Sequence, residues 1–135
     1  MKEKEVVGLY PMVADILHTG HIIALEEAAK HCDKLVVALH CCPDYKNPVQ
    51  SIYERYIQLK AIRCVDEVVP YTDKNDMCNL LLSYDFDIYF LGQDHEGKDF
   101  ECKDVLENLK KEIYYTSRKH PYSSTYFKNK VKNNG

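Results

Sequence analysis

Short apolar runs rich in β-branched residues alternate along this chain with longer stretches whose apolar positions recur at helical spacing. That alternation restricts the fold more than any other feature, because it is the pattern of a parallel sheet with crossover helices. Val6 to Tyr10 reads as a first strand, and Leu35 to Leu39 as a second whose unbroken apolar character suits burial on both faces. Val68-Val69, Ile88 to Leu91 (ending at Gly92) and Ile113 to Tyr115 supply three more. Ile22, Leu25, Ala29 and Cys32 form one stripe of an amphipathic helix, with Glu26, Glu27 and Lys30 on its opposite face. Further helices are read from Ile52, Tyr56, Leu59 and Ile62, from Met77, Leu80 and Leu81 behind a capping Asp76, and from Leu106 and Leu109. A last short helix opens at Ser123, and residues 128–135 are polar enough to predict a frayed end. Right-handed crossovers then give an α/β fold, an open, doubly wound, parallel five-stranded sheet of Rossmann-like type. Its binding crevice lies outside the carboxyl ends of the strands. At 135 residues the chain is read as one domain, residues 1–135.

Composition removes several classes of function. A net charge of −3 leaves no basic excess to draw the chain to nucleic acid, so phosphate must be met locally. No stretch approaches the roughly 20 apolar residues of a membrane span, and the charged start has no signal-peptide core, so a cytoplasmic protein without a membrane partner is expected. Six cysteines occur without a C-x-x-C pair, scattered among apolar runs, and are read as reduced thiols.

The chemistry gathers after the first strand. Asp15-Ile16-Leu17-His18-Thr19-Gly20-His21 places two imidazoles and the open N–H groups of a helix start at the crevice, a site suited to a polyanion. Gly20 lets a phosphate approach the backbone where a Cβ would hinder it. A metal reading of the histidine pair lacks a third ligand and the spacing of a helical zinc pair, so no protein metal site is assigned.

His18-Thr19-Gly20-His21 resembles the H-x-G-H signature of the cytidylyltransferase-like nucleotidyltransferases. Arg55 with the segment Arg63 to Pro70 looks like that family's helix followed by V-D-E-V. Gly92 to Lys98 is similar to its G-D-D-W-E-G-K turn, and Arg118 to Lys128 resembles the R-T-E-G-I-S-T-T-x-I-K motif of glycerol-3-phosphate cytidylyltransferases. The four blocks stand in the family's order and span nearly the whole chain.

The resemblance implies transfer of a cytidylyl group from CTP to a phosphorylated alcohol such as glycerol 3-phosphate, with pyrophosphate released and no covalent enzyme intermediate. It implies His18, His21 and Arg118 as catalytic residues, and Asp15, Gly20, Gly92, Asp94, Ser123, Ser124 and Thr125 as nucleotide-binding. Arg63, Arg55 and Lys46 would grip the acceptor. Magnesium is expected with CTP, held by phosphate oxygens and water, and a homodimer is implied. Taken alone, the Ser-Ser-Thr cluster also reads as a helix cap, Asp94 as a turn residue and the arginines as surface charges. The chain departs from the family at Tyr10-Pro11-Met12-Val13-Ala14, where Y-G-T-F is usual, and at Gln93, His95 and Pro121. Two other readings follow: an adenylyltransferase of the same superfamily, and a catalytically silent nucleotide-binding protein.

Overall fold

The computed structural model describes residues 4–44, 47–117 and 120–134. Its elements run β1 (Val7–Met12), α1 (Thr19–Ala29), β2 (Lys34–His40), α2 (Ile52–Lys60), β3 (Glu67–Tyr71), α3 (Lys74–Ser83), β4 (Ile88–Gly92), a 3-10 turn (Gln93–His95), α4 (Lys103–Leu109), β5 (Glu112–Thr116) and α5 (Ser124–Asn134). All four strand pairings are parallel, in the order β3-β2-β1-β4-β5. The order reverses between β1 and β4, and an open sheet of this kind forms its crevice there.

Alternation along each strand divides the interior into two cores. Leu35, Val37 and Leu39 join Leu25, Ala28, Leu59 and Phe90 on the face covered by α1 and α2. Val36 and Ala38 join Met77, Leu81, Tyr89 and Leu106 on the face covered by α3 and α4. Burial on both faces is why β2 carries no polar residue between Leu35 and Leu39. The amino ends of the strands are tied by carboxylates from neighbouring turns. Asp33 accepts the Val6 N–H, Asp66 that of Leu35 and Asp87 that of Val7, each at 2.8 Å. The V-D-E-V block is thus structural here, and Glu67 completes it by accepting from the Tyr84 hydroxyl and pairing with Lys34.

Several sequence expectations need correction. β1 continues through Pro11 and Met12, because its ladder to β4 covers only Gly8 and Leu9, and a residue without an N–H is tolerated beyond that point. Helix α3 begins three residues earlier than predicted. Asp73 caps it by accepting the Asp76 N–H, while Asp76 turns back to Thr72. Ile52 is exposed, and Arg55 takes the inward position beside Leu59. The segment expected to fray is helical as far as Asn134. Glu27 is half-buried rather than fully solvated; its carboxylate accepts the Ser117 N–H and fastens α1 to the end of β5. Cys78 and Cys102 are joined as a disulfide linking α3 to the start of α4, so the expectation of six reduced thiols fails for that pair. No helix among the described residues is long and apolar enough to cross a membrane.

Candidate active site

The loop from β1 to α1 is held in an unusual shape. Ala14 and Ile16 both adopt left-handed backbone conformations, with φ of 57° and 49°. For a β-branched residue such as Ile16 this is strained, and it persists only where surrounding contacts enforce it. Here a bracket from the loop before α2 enforces it. Asp15, 7% exposed, accepts the Val49 and Gln50 N–H groups, and the Ile16 N–H donates to Gln50 Oε1 at 2.6 Å. Arg55, 2% exposed, donates to the carbonyls of Gln50, Val13, His40 and Cys41. Its guanidinium is therefore committed to joining the ends of β1 and β2, and the acceptor-gripping role expected for it is replaced by a structural one.

The bracket delivers His18 to the first position before α1. There the two histidines form a reciprocal cap: Gly20 N–H donates to His18 Nδ1 at 3.0 Å, and His18 N–H donates to His21 Nδ1 at 3.2 Å. With both Nδ1 atoms accepting, the proton of each neutral ring sits on Nε2, so each imidazole presents an N–H donor. The rings lie 4.0 Å apart, and His18 also packs on Phe127 at 5.4 Å. Phe127 stacks in turn on Tyr122, and Tyr122 on His120. This aromatic chain draws the start of α5 against the start of α1. Ser123 caps α5 by accepting the Tyr126 N–H.

A cavity of about 290 Å³ opens at this meeting point, lined by Asp15, His18, Gly20, His21, Gly92 and Ser123 among others. All six are among the residues expected from the sequence. His95, Thr116, Ser117 and His120 are not among them, yet they line the same cavity. Thr116 donates to the Leu91 carbonyl and accepts from the Tyr10 hydroxyl, fixing the ends of β1, β4 and β5. The buried Nδ1 of His120 has no hydrogen-bond partner among the described residues, as a ligand-facing group would. Thr116 ends β5 and the other three follow a strand, His95 and His120 within the two motif-like blocks, so position at the carboxyl edge is the signal that identifies them.

Four imidazoles thus surround the cavity. Among its described lining residues the one carboxylate is Asp15, whose oxygens hold loop amides. Neither α1 nor α5 has an acidic residue in its first turn, whereas α2, α3 and α4 each have one. The partial positive charge of the two helix starts at the cavity is left for an anion.

Other expected residues lie elsewhere. Asp94 is exposed in the 3-10 turn, and its neighbour His95 lines the cavity instead. Thr125 is exposed on α5 and does not line it. Arg63 is exposed in the turn between α2 and β3, at the amino edge of the sheet, away from the crevice. Arg118, Lys46 and the side chain of Ser124 lie outside the described residues.

The sequence profile described as cytidylyltransferase-like matches residues 9–130. The chain belongs to the cytidylyltransferase-like family. A glycerol-3-phosphate cytidylyltransferase of Bacillus subtilis is 32% identical over 87% of this chain and 90% of its own. An FAD synthase of Thermococcus sibiricus is 34% identical over 82% of this chain and 76% of its own. Among solved structures, the lipopolysaccharide core biosynthesis protein of Thermoplasma volcanium superposes with a TM-score of 0.70 at 24% identity, over 84% of this chain and 96% of that one. This last likeness concerns the fold alone. Family membership makes the chain a nucleotidyltransferase by descent.

Proposed function

We propose that this member of the family transfers a cytidylyl group from CTP to a phosphorylated alcohol. A phosphate oxygen of the acceptor forms a bond to the α-phosphorus of CTP, the bond from that phosphorus to the bridging oxygen breaks, and pyrophosphate leaves. The observation that carries this reading is the convergence of two Nε2-presenting histidines and two acid-free helix starts on one cavity. His18 and His21 donate to the triphosphate and to the oxygens that gain charge in the transition state. Each such preorganised donor is worth on the order of 3 kcal/mol. Ser123 and the amides at the start of α5, with Ser124, hold the outer phosphates, and Arg118 adds a cation from the preceding segment. Gly92 at the end of β4 leaves room for the nucleoside.

Magnesium accompanies CTP in this reading, held by phosphate oxygens and water, because Asp15 is engaged with Val49 and Gln50. The cytoplasm is the compartment such a substrate requires. A homodimer fits the exposed apolar side chains of Val49, Ile52, Tyr53 and Ile57, and sedimentation equilibrium tests it. Cytosine as the base rests on similarity to glycerol-3-phosphate cytidylyltransferases. An adenylyl reading has the comparable similarity to FAD synthase in its favour.

The test is pyrophosphate release from each of four nucleoside triphosphates with magnesium and a panel of phosphomonoesters. CTP should support turnover, and His21→Ala should reduce it by roughly a hundredfold with the fold intact. Release with ATP alone would refute the cytidylyl reading. Nucleotide binding without release on any acceptor would make the chain a silent binder.

A further inference from the structure

The bond between Cys78 and Cys102 lies outside the transfer chemistry, and its place in the fold gives it a separate use. Cys78 stands on α3, and Cys102 immediately before α4. Residues 93–102 therefore form a loop that β4 holds at one end and this bond holds at the other. The loop carries His95, which lines the active-site cavity. Residues 93–99 are exposed. Within the loop the Glu96 N–H donates to the Gln93 carbonyl and the Lys98 N–H to the His95 carbonyl, bonds that shape the segment without tying it to the sheet. Its far end is anchored by Phe100, stacked on Tyr89, and by Cys102, 1% exposed. Cys102 also holds a left-handed backbone conformation, φ 62°, which a residue with a Cβ keeps only where contacts enforce it. The link to α3 is such a contact, and opening it removes the constraint.

Burial decides how the pair reacts. Cys102 is shut off from solvent and Cys78 is half-buried, so a small thiol or disulfide in solution meets Cys78 Sγ first. The other cysteines are poor rivals. Burial raises the thiols of Cys32, Cys41 and Cys64 above their ordinary range and leaves them little thiolate, and Cys42 is exposed beyond the end of β2.

In the cytoplasm proposed above, thiols are kept reduced, and a disulfide there is catalytic or redox-sensing rather than permanent. We propose that Cys78 and Cys102 form a thiol–disulfide switch on the active site. Closed, it holds residues 93–101, and with them His95, at the cavity; open, it releases that segment and slows transfer. This rests on the nucleotidyl-transfer reading above. Closing uses a low-molecular-weight disulfide as oxidant. The Cys78 thiolate attacks one of its sulfurs, forming a mixed disulfide and releasing one small thiolate; the Cys102 thiolate then attacks Cys78 Sγ, forming the protein bond and releasing the second. The two cysteine thiols lose two electrons and two protons, which leave on the two small thiols. Excess small thiol runs the sequence backwards and is itself oxidised to the small disulfide.

The test uses the Cys42→Ser protein, which lacks the exposed thiol, equilibrated with oxidised or with reduced glutathione. Alkylation and mass spectrometry should find the pair closed in the first buffer and open in the second. Amide hydrogen exchange across residues 93–101 should be at least about tenfold faster in the open form. Its kcat/KM for pyrophosphate release should be about tenfold lower. Adding His95→Ala should shrink that kinetic difference to within about twofold and leave the exchange difference in place. A pair that stays closed in reduced glutathione, equal exchange or equal kcat/KM in the two forms, or a kinetic difference that survives His95→Ala overturns the switch and leaves nucleotidyl transfer standing. Absence of turnover with every nucleotide and phosphomonoester overturns both.

Discussion

Substituting Gly20 by alanine separates what this site needs for folding from what it needs for turnover. A Cβ at this position would stand 2.8 Å from His18 Cε1, 3.0 Å from His18 Nδ1 and 2.8 Å from the Tyr122 carbonyl oxygen. Ordinary contact begins near 3.4 Å, so about 0.6 Å must be yielded either by the His18 ring or by the backbone before α5. The ring has little freedom, lying against His21 on one neighbour and Phe127 on another, with Nδ1 bonded to the amide being altered. For stability, up to about 1 kcal/mol of helix propensity is set against about 1 kcal/mol for a weakened cap and about 1 to 3 kcal/mol for the contact with the Tyr122 carbonyl, a modest net loss. The catalytic loss is larger. A displacement of this size between the two helix starts is expected to lower kcat by roughly 30- to 100-fold, since misplacement by about 1 Å can cost two orders of magnitude. Pyrophosphate release gives kcat, and thermal unfolding followed by circular dichroism gives the midpoint. A variant with kcat within about twofold of the parent and the same midpoint would refute the claim that phosphate geometry depends on this close approach.

Three other outcomes are expected. Arg55→Met removes the donors to four backbone carbonyls and should cost about 3 kcal/mol or more in urea unfolding, whereas unchanged stability with a raised acceptor KM would return Arg55 to the substrate. Gly8→Ala should destabilise by about 1 to 3 kcal/mol in the same assay, because its Cβ meets the Phe90 ring and Cys32 Sγ inside the core; parent-like stability would show that this packing yields. Alkylation followed by mass spectrometry should modify Cys42 rapidly and Cys32 slowly, since Cys42 is exposed and burial pushes the Cys32 thiol up to about 11. At pH 8 that leaves about a hundredfold less thiolate than an ordinary cysteine has, the rate rising only as pH approaches 11. Cys78 and Cys102 should react only after reduction, and labelling of all six without reductant would exclude their bond.

The parts of the fold that were legible were those in which a long pattern repeats one physical demand. Leu35 to Leu39 could only be a strand buried on both faces, and its residues do divide between the two cores. The His18-Gly20-His21 spacing could be read because a helix start fixes which residues meet there. Arg55 was misread because its charge suggests solvent. The contrary signal was position: it lies four residues before Leu59, on the inward face of α2, while Ile52 lies outside. His95 rather than Asp94 lines the cavity because a three-residue 3-10 turn sets their direction, and no periodicity announces so short an element. The Cys78–Cys102 pairing, across 24 residues, depends on α3 packing near α4 and leaves no mark in local spacing. Ser117 has no motif of its own, and His120 stands at a variable-looking position inside the Arg118 to Lys128 block, so their place after the last strand is what connects them to the crevice.

The account stands on one arrangement, a chain of phosphates lying between the start of α1 and the start of α5. A crystal structure of this protein with CTP and magnesium examines it most directly. The expected density puts the triphosphate within hydrogen-bonding distance of Nε2 of His18 and His21 and of the amides that follow Ser123. Density for the triphosphate outside the cavity at these two helix starts would contradict it.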